Sequence, residues 1–320
     1  MDLKSFFDNM LLAAEQVAIL YVIVSIGVLG DKTGLFTEKT ARLCTNLLFF
    51  IITPAVIVRS FLAIEYEPRK AGGLFIAIGC GLLMHTIAAL MNMPLFRKGD
   101  KSKNAVYKFA CVYGNCGYMA LPLADAILGP EGVFYCSAVI MSFQMFVFTH
   151  GIYIMSEADE NGKRTFRFSK LIVNPGSLSV LVGLPLFLLG LGDSIPAIII
   201  RPVQYIASMN TPLAMLIFGT YLANVRVKKV FADKRVFGVA LMKLLVLPIV
   251  MLCLYKLFGI SGILLSSLAI SASAPSANNT VIFAAKYGKD TALASQTVAV
   301  VSFISIATMP FMIALTKVIG

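Results

Sequence analysis

The sequence predicts an all-α integral membrane protein of ten transmembrane helices. They form two five-helix halves, the second inverted relative to the first, and one helix in each half is broken. Three observations predict this. Hydrophobic residues make up 58% of the 320 and charged ones only 13%, against about 45–50% and about 25% in soluble globular proteins; the mean hydropathy is +0.86. Apolar stretches long enough to cross a bilayer, roughly 20 residues each, occur ten times between polar interruptions. A run of glycine, serine, asparagine and proline interrupts one stretch in each half. The composition excludes a soluble enzyme, a DNA-binding protein and a disordered chain.

Taken in order, the stretches fall at 10–29, 41–62, 71–93, 105–128, 131–155, 171–191, 203–224, 236–258, 260–285 and 291–316. A count of nine would merge two neighbours across Gly129–Glu131, but 105–155 is far too long for one crossing. The first stretch is expected to be retained, because Met1–Met10 carries Asp2 and Asp8 against Lys4 and lacks the basic start of a cleaved signal. Alternate loops then carry 19 basic residues on one side and 7 on the other, which places the richer side in the cytoplasm and both termini outside. The expectation is a multi-pass protein of the cell (inner) membrane, in contact with lipid. Its formal charge of +11 reports topology and calls for no nucleic-acid partner. The six cysteines lie in apolar stretches without metal-ligand spacing and read as small buried hydrophobes.

Thr53-Pro54 in the second stretch recurs as Thr211-Pro212 in the seventh, and Pro122 in the fourth has a counterpart in Pro275 in the ninth. Five spans is an odd number, so a duplicated half inserts upside down, the plan common in secondary transporters. This divides the chain into 1–160 and 161–320. The fourth stretch carries Gly114, Asn115, Gly117 and Pro122, and the ninth carries small or polar residues from Ser271 to Asn279. Lipid offers no hydrogen bonds, so such segments are buried in protein or line a wet cavity. Proline removes a backbone donor and frees a carbonyl one turn earlier. Each of these two spans therefore breaks into half-helices, whose exposed N-termini near mid-membrane suit a carboxylate. Asn115, Asn278 and Asn279 add neutral donors, and Thr53 and Asn46 on the second stretch complete the cavity.

The segments Asn115-Cys-Gly-Tyr-Met-Ala-Leu-Pro122 and Ser273-Ala-Pro-Ser-Ala-Asn-Asn-Thr-Val-Ile-Phe-Ala-Ala-Lys-Tyr287 resemble the crossing-helix motifs of the auxin efflux carrier family, which includes bacterial malate and malonate permeases. Asn174-Pro-Gly-Ser, Asn210-Thr-Pro-Leu-Ala-Met-Leu and Lys243-Leu-Leu-Val-Leu-Pro248 extend the resemblance over essentially the whole chain. It implies that spans 4 and 9 cross as broken helices. Spans 1, 2, 6 and 7 would form a scaffold, and 3–5 with 8–10 a transport domain moving elevator-fashion. It places the substrate-contacting asparagine at Asn115, followed by Pro122, and the second crossing proline at Pro275. Ser276 and Gly117 lie within these motifs. The family usually has arginine where Lys243 stands, so the bidentate geometry of a guanidinium is absent here. The short loop after Ser156 makes a bacterial organic-acid carrier the nearer comparison.

Charges at membrane depth are costly and mark functional candidates. Asp125 reads as a proton or sodium site or as a paired interfacial group, Lys243 as an attractor of anions or a snorkelling side chain, and His85 as a packing residue or proton relay. No nucleophile–base, metal or nucleotide motif occurs, so neither an enzyme nor a primary pump is expected, and no cofactor beyond a coupling H+ or Na+. The expected function is secondary transport of a small organic anion. A cation–proton antiporter using Asp125 and a non-transporting ligand sensor are the alternatives. Coupling, direction and oligomeric state, a homodimer included, stay open.

Overall fold

A computed structural model describes residues 3–156, 175–223 and 233–319. Asn174 and the basic residues at 163–170 and 226–229 lie outside the described residues. The described chain is helical. In order it forms α1 (Leu3–Lys32), α2 (Glu38–Leu62), α3 (Pro68–Asn92), α4 (Lys101–Val112), α5 (Cys116–Met155), α6 (Pro175–Leu188), α7 (Ala197–Ala223), α8 (Lys234–Leu257), α9 (Gly262–Ser273), α10 (Asn279–Lys286) and α11 (Thr291–Ile319). Seven of these helices, α1, α2, α3, α5, α7, α8 and α11, are long and apolar enough to cross a membrane, and α6 and α9 are shorter apolar helices. Large apolar side chains such as Leu11, Val22, Ile26 and Leu29 on α1 are exposed. That would be a liability in water, but it is what a lipid-facing helix presents.

The helix ends follow from local chemistry. Asp100 caps α4 by accepting the Ser102 N–H at 2.7 Å, and Asp233 caps α8 by accepting the Arg235 N–H at 3.0 Å. α5 is 40 residues long, roughly twice what one crossing needs, and Gly129 (φ 67°, ψ −159°) just before Pro130 takes its backbone out of the helix. Four wide π turns occur among the described residues; the one at Val147–Gly151 has no proline after it, and the other three are at Leu48–Ile52, Cys116–Ala120 and Met242–Val246. Each of these three immediately precedes a segment with proline at its second residue: Pro54, Pro122 and Pro248. Proline has no N–H to give and crowds the carbonyl four residues back, so the preceding turn opens to a longer hydrogen-bond step.

α1 packs along the second part of α7, α3 and α9 pack on α5, and α6 packs on α2. The α1–α7 seam depends on two glycines. A Cβ added to Gly219 would lie 2.1 Å from the Val24 carbonyl oxygen and 2.8 Å from the Gly27 Cα. Small residues let backbones meet this closely where no hydrophobic effect drives association in lipid.

The loops sort by end of the bundle. At one end the Tyr107 hydroxyl donates to the Asp233 carboxylate, the Asp290 N–H donates to the Ser102 hydroxyl, and the Thr220 hydroxyl donates to the Phe36 carbonyl. Toward the other end, Arg59 meets Asp125, and Tyr66 packs on Phe187.

Candidate functional site

Two helices stop in mid-bundle and their ends meet. α4 ends at Val112 and α5 begins at Cys116; α9 ends at Ser273 and α10 begins at Asn279. The extended links between them pair as a short antiparallel bridge, Gly114 with Ser276. The Asn115 N–H donates to the Pro275 carbonyl at 2.6 Å, and the Ala277 N–H donates to the Tyr113 carbonyl at 2.9 Å. Ser276 tightens the crossing by donating its hydroxyl to the Ala110 carbonyl at 2.8 Å. Backbone groups freed by the breaks thus find partners across the crossing, as buried backbone must.

Asn115 caps α5: its Oδ1 accepts the Tyr118 N–H at 3.2 Å, which leaves its side-chain NH2 available. Beside it lies a cavity with about 510 Å³ of empty space, its open mouth included. The crossing supplies residues 114–118 and 277–279; α2 supplies Phe49 and Thr53; α6 supplies Gly176; the second arm of α5 supplies Ile140, Phe143 and Gln144. No lining residue carries a formal charge. Asn115 and Gln144 are each 4% exposed, and Thr53 is 6% exposed with its hydroxyl unpartnered among the described residues. A smaller recess with about 230 Å³ of empty space, its opening included, shares Asn115, Tyr118 and Asn278 and is lined by Thr45 and Leu48 of α2 and by α7.

Lys243 on α8 is fully buried. Its Nζ donates to the Ala272 carbonyl at 3.4 Å and lies against Gly114, where an added Cβ would be 2.8 Å from it. The ammonium therefore sits behind the crossing, where the C-terminal ends of α4 and α9 point, and outside the cavity lining. Helix C-termini carry partial negative charge, which a cation there offsets.

Of the sequence-derived candidates, the cavity collects Asn115, Gly117, Asn278, Asn279 and Thr53. Pro122 and Pro275 do not line it: Pro122 is buried at the start of the helical segment after the π turn, and the Pro275 carbonyl holds Asn115. Ser276 acts within the crossing. Asn46 is exposed, one helical step from Thr45. Asp125 is held by Arg59, whose Nη2 approaches its two carboxylate oxygens at 3.0 and 2.9 Å. His85 is buried, donates its Nδ1–H to the Gly81 carbonyl at 2.7 Å and stacks on Phe146. Sequence reasoning missed Gln144 and Tyr118. Gln144 had a signal, as a lone amide in the apolar run from Ala138 to Phe148.

Among known proteins, the chain is 24% identical over 309 residues to an uncharacterized transporter of Methanocaldococcus jannaschii, covering 91% of this chain and 95% of that one. It is 24% identical over 287 residues to a protein of Rhizobium meliloti named "Putative malonate transporter", covering 88% of this chain and 86% of the relative. The family model described as membrane transport protein matches residues 12–313. The chain belongs to that family, the auxin efflux carriers that its crossing motifs resemble.

Proposed function

We propose that this protein is a secondary carrier of small organic anions, with a carboxylate bound in the cavity at the crossing. The observation that carries this reading is the convergence of two helix N-termini, those of α5 and α10, with the Asn115, Gln144 and Thr53 side chains in one largely buried space. The N–H groups of Gly117, Asn278 and Asn279 are among the orphan donors of those helix starts, and they favour an anion. Amides and a hydroxyl then orient it without a competing counterion. The name of the Rhizobium relative makes malonate the first substrate to test.

The same reading has ten crossings in two inverted halves, 1–160 and 161–320, with the loop end rich in basic residues in the cytoplasm of the cell (inner) membrane. Two features support it: the Gly129 break divides the longest helix, and the crossing elements enter from both halves. Transport by an elevator motion fits a cavity walled on one side by α2 and α6 and on the other by the crossing and α5. An antiporter built on Asp125 is less favoured, because that carboxylate is engaged by Arg59 and does not line the cavity.

The test is uptake of labelled mono- and dicarboxylates by purified protein in proteoliposomes, with and without pH and sodium gradients. Asn115→Ala is expected to abolish uptake in a protein that still purifies as a folded species. Undiminished uptake by that variant overturns the site.

A further inference from the structure

We infer that the cavity is matched to a single negative charge, so that monocarboxylates are carried as such and a dicarboxylate is carried with its second carboxyl protonated. This rests on the carboxylate reading of the cavity and adds the charge state of its substrate. The crossing presents four helix ends, each worth about half an elementary charge. The two C-terminal ends, of α4 and α9, face the buried Lys243 ammonium, which donates to the Ala272 carbonyl and packs on Gly114. That cation is matched by about one unit of negative dipole. The two N-terminal ends, of α5 and α10, are left with about one unit of positive dipole, enough for one carboxylate.

A second carboxylate meets at most half such a complement, from the start of α6 at Pro175 and Gly176. The wall beyond the crossing is Phe49, Ile140 and Phe143 with the Gln144 amide and the Thr53 hydroxyl, and an uncompensated charge against apolar side chains is expensive. Thr53 is the independent mark of a ligand, being 6% exposed, part of the cavity wall and without a hydrogen-bond partner among the described residues. A hydroxyl and a primary amide each donate and accept, as a protonated carboxyl does, whereas a carboxylate only accepts. The titratable groups around the space do not alter the count: His85 packs behind Phe143 and His150 bonds the Tyr113 hydroxyl, and neither lines the cavity. Cys116 and Tyr118 line it as neutral thiol and phenol, Lys243 stands behind Gly114, and Arg59 and Asp125 neutralise each other on the neighbouring turns of α2 and α5.

The experiment is proteoliposome uptake of malonate and of its monomethyl ester, a fixed monoanion of similar size, with the pH equal on both faces of the membrane. The ester is expected to move at a rate independent of pH. Malonate uptake is expected to rise as the pH falls, by up to about tenfold per unit while the dianion predominates, because only the singly protonated form is carried. Malonate uptake that stays flat or rises with pH while the ester moves overturns the charge-state proposal and leaves the carboxylate site standing. Acid stimulation of both substrates alike also overturns it, since the titrating group then belongs to the protein. No uptake of either, nor of any other carboxylate, removes the underlying reading and the proposal with it. Gln144→Arg adds a cation to the wall and is expected to abolish the acid stimulation of malonate uptake; Asn279→Lys does the same from a half-buried position if the first variant does not fold. Retention of the full pH profile by a folded variant overturns the proposal.

Discussion

Asp125→Asn tests whether the intramembrane carboxylate holds the structure or couples ions. The Arg59–Asp125 contact is 2.9 Å long, and the two side chains are 22% and 34% exposed. At that separation Coulomb attraction is about 1.5–6 kcal/mol for effective dielectric constants between about 80 and 20. Desolvation and side-chain ordering take back most of it, so exposed pairs measure about 0.2–1 kcal/mol, whereas breaking a fully buried pair costs about 3–5. A pair this accessible belongs between, at about 1–2 kcal/mol. It joins α2 to α5, both of which also line the cavity, through Thr53 and Gly117 among others. If only one carrier state forms the pair, its loss shifts the balance of states by a factor of about 5–30. Asp125→Asn and Arg59→Met are therefore expected to lower the Tm of the detergent-solubilised protein by a few degrees, with carboxylate uptake still measurable. A double-mutant cycle reports the coupling energy, and the charge-swapped protein Arg59→Asp/Asp125→Arg recovers most of the stability. Abolished uptake in a folded Asp125→Asn protein, with no rescue by the swap, refutes this reasoning and favours the antiporter.

Two further outcomes follow from the packing and the cavity. Gly219→Ala forces α1 and α7 apart by about 1 Å or more, because the added carbon meets backbone at 2.1 Å; overpacking of this kind costs about 1–3 kcal/mol, and an unchanged Tm contradicts the described seam. Thr53→Val removes a buried unpartnered hydroxyl, so stability should hold or rise slightly. The same change should weaken substrate affinity about tenfold, for one lost hydrogen bond, and a KM equal to that of the unmodified protein rules the hydroxyl out as a ligand.

The breaks were legible in the sequence because their cause is local. Glycine, serine and proline in an apolar stretch leave backbone groups that lipid cannot satisfy, and Gly114, Asn115, Pro275 and Ser276 meet at the crossing for that reason. What escaped depends on register or on partners distant in sequence. Adjacent residues on a helix point about 100° apart, so Thr45 reaches a cavity while Asn46 faces outward. Gln144 was visible as an isolated amide, but its place in the site depends on the reversal of α5 at Gly129, which brings its second arm back beside the crossing. Asp125 was readable as a paired group, but its partner Arg59 lies 66 positions away and could not be named until α2 and α5 packed together.

Lys243 shows most clearly how the local and the distant combine. Its depth in the eighth stretch was readable, and its role as an attractor of substrate was a fair expectation. The crossing turns that ammonium toward the carbonyl ends of broken helices and away from the cavity. On the proposed reading, an anion in the cavity is then held by backbone N–H groups and neutral side chains. Such donors stay in place as the ligand leaves and carry no charge that must be neutralised once the site is empty. A carrier has to release what it binds, and a cavity that supplies partial charges suits a cycle in which the binding site crosses the membrane empty as well as loaded.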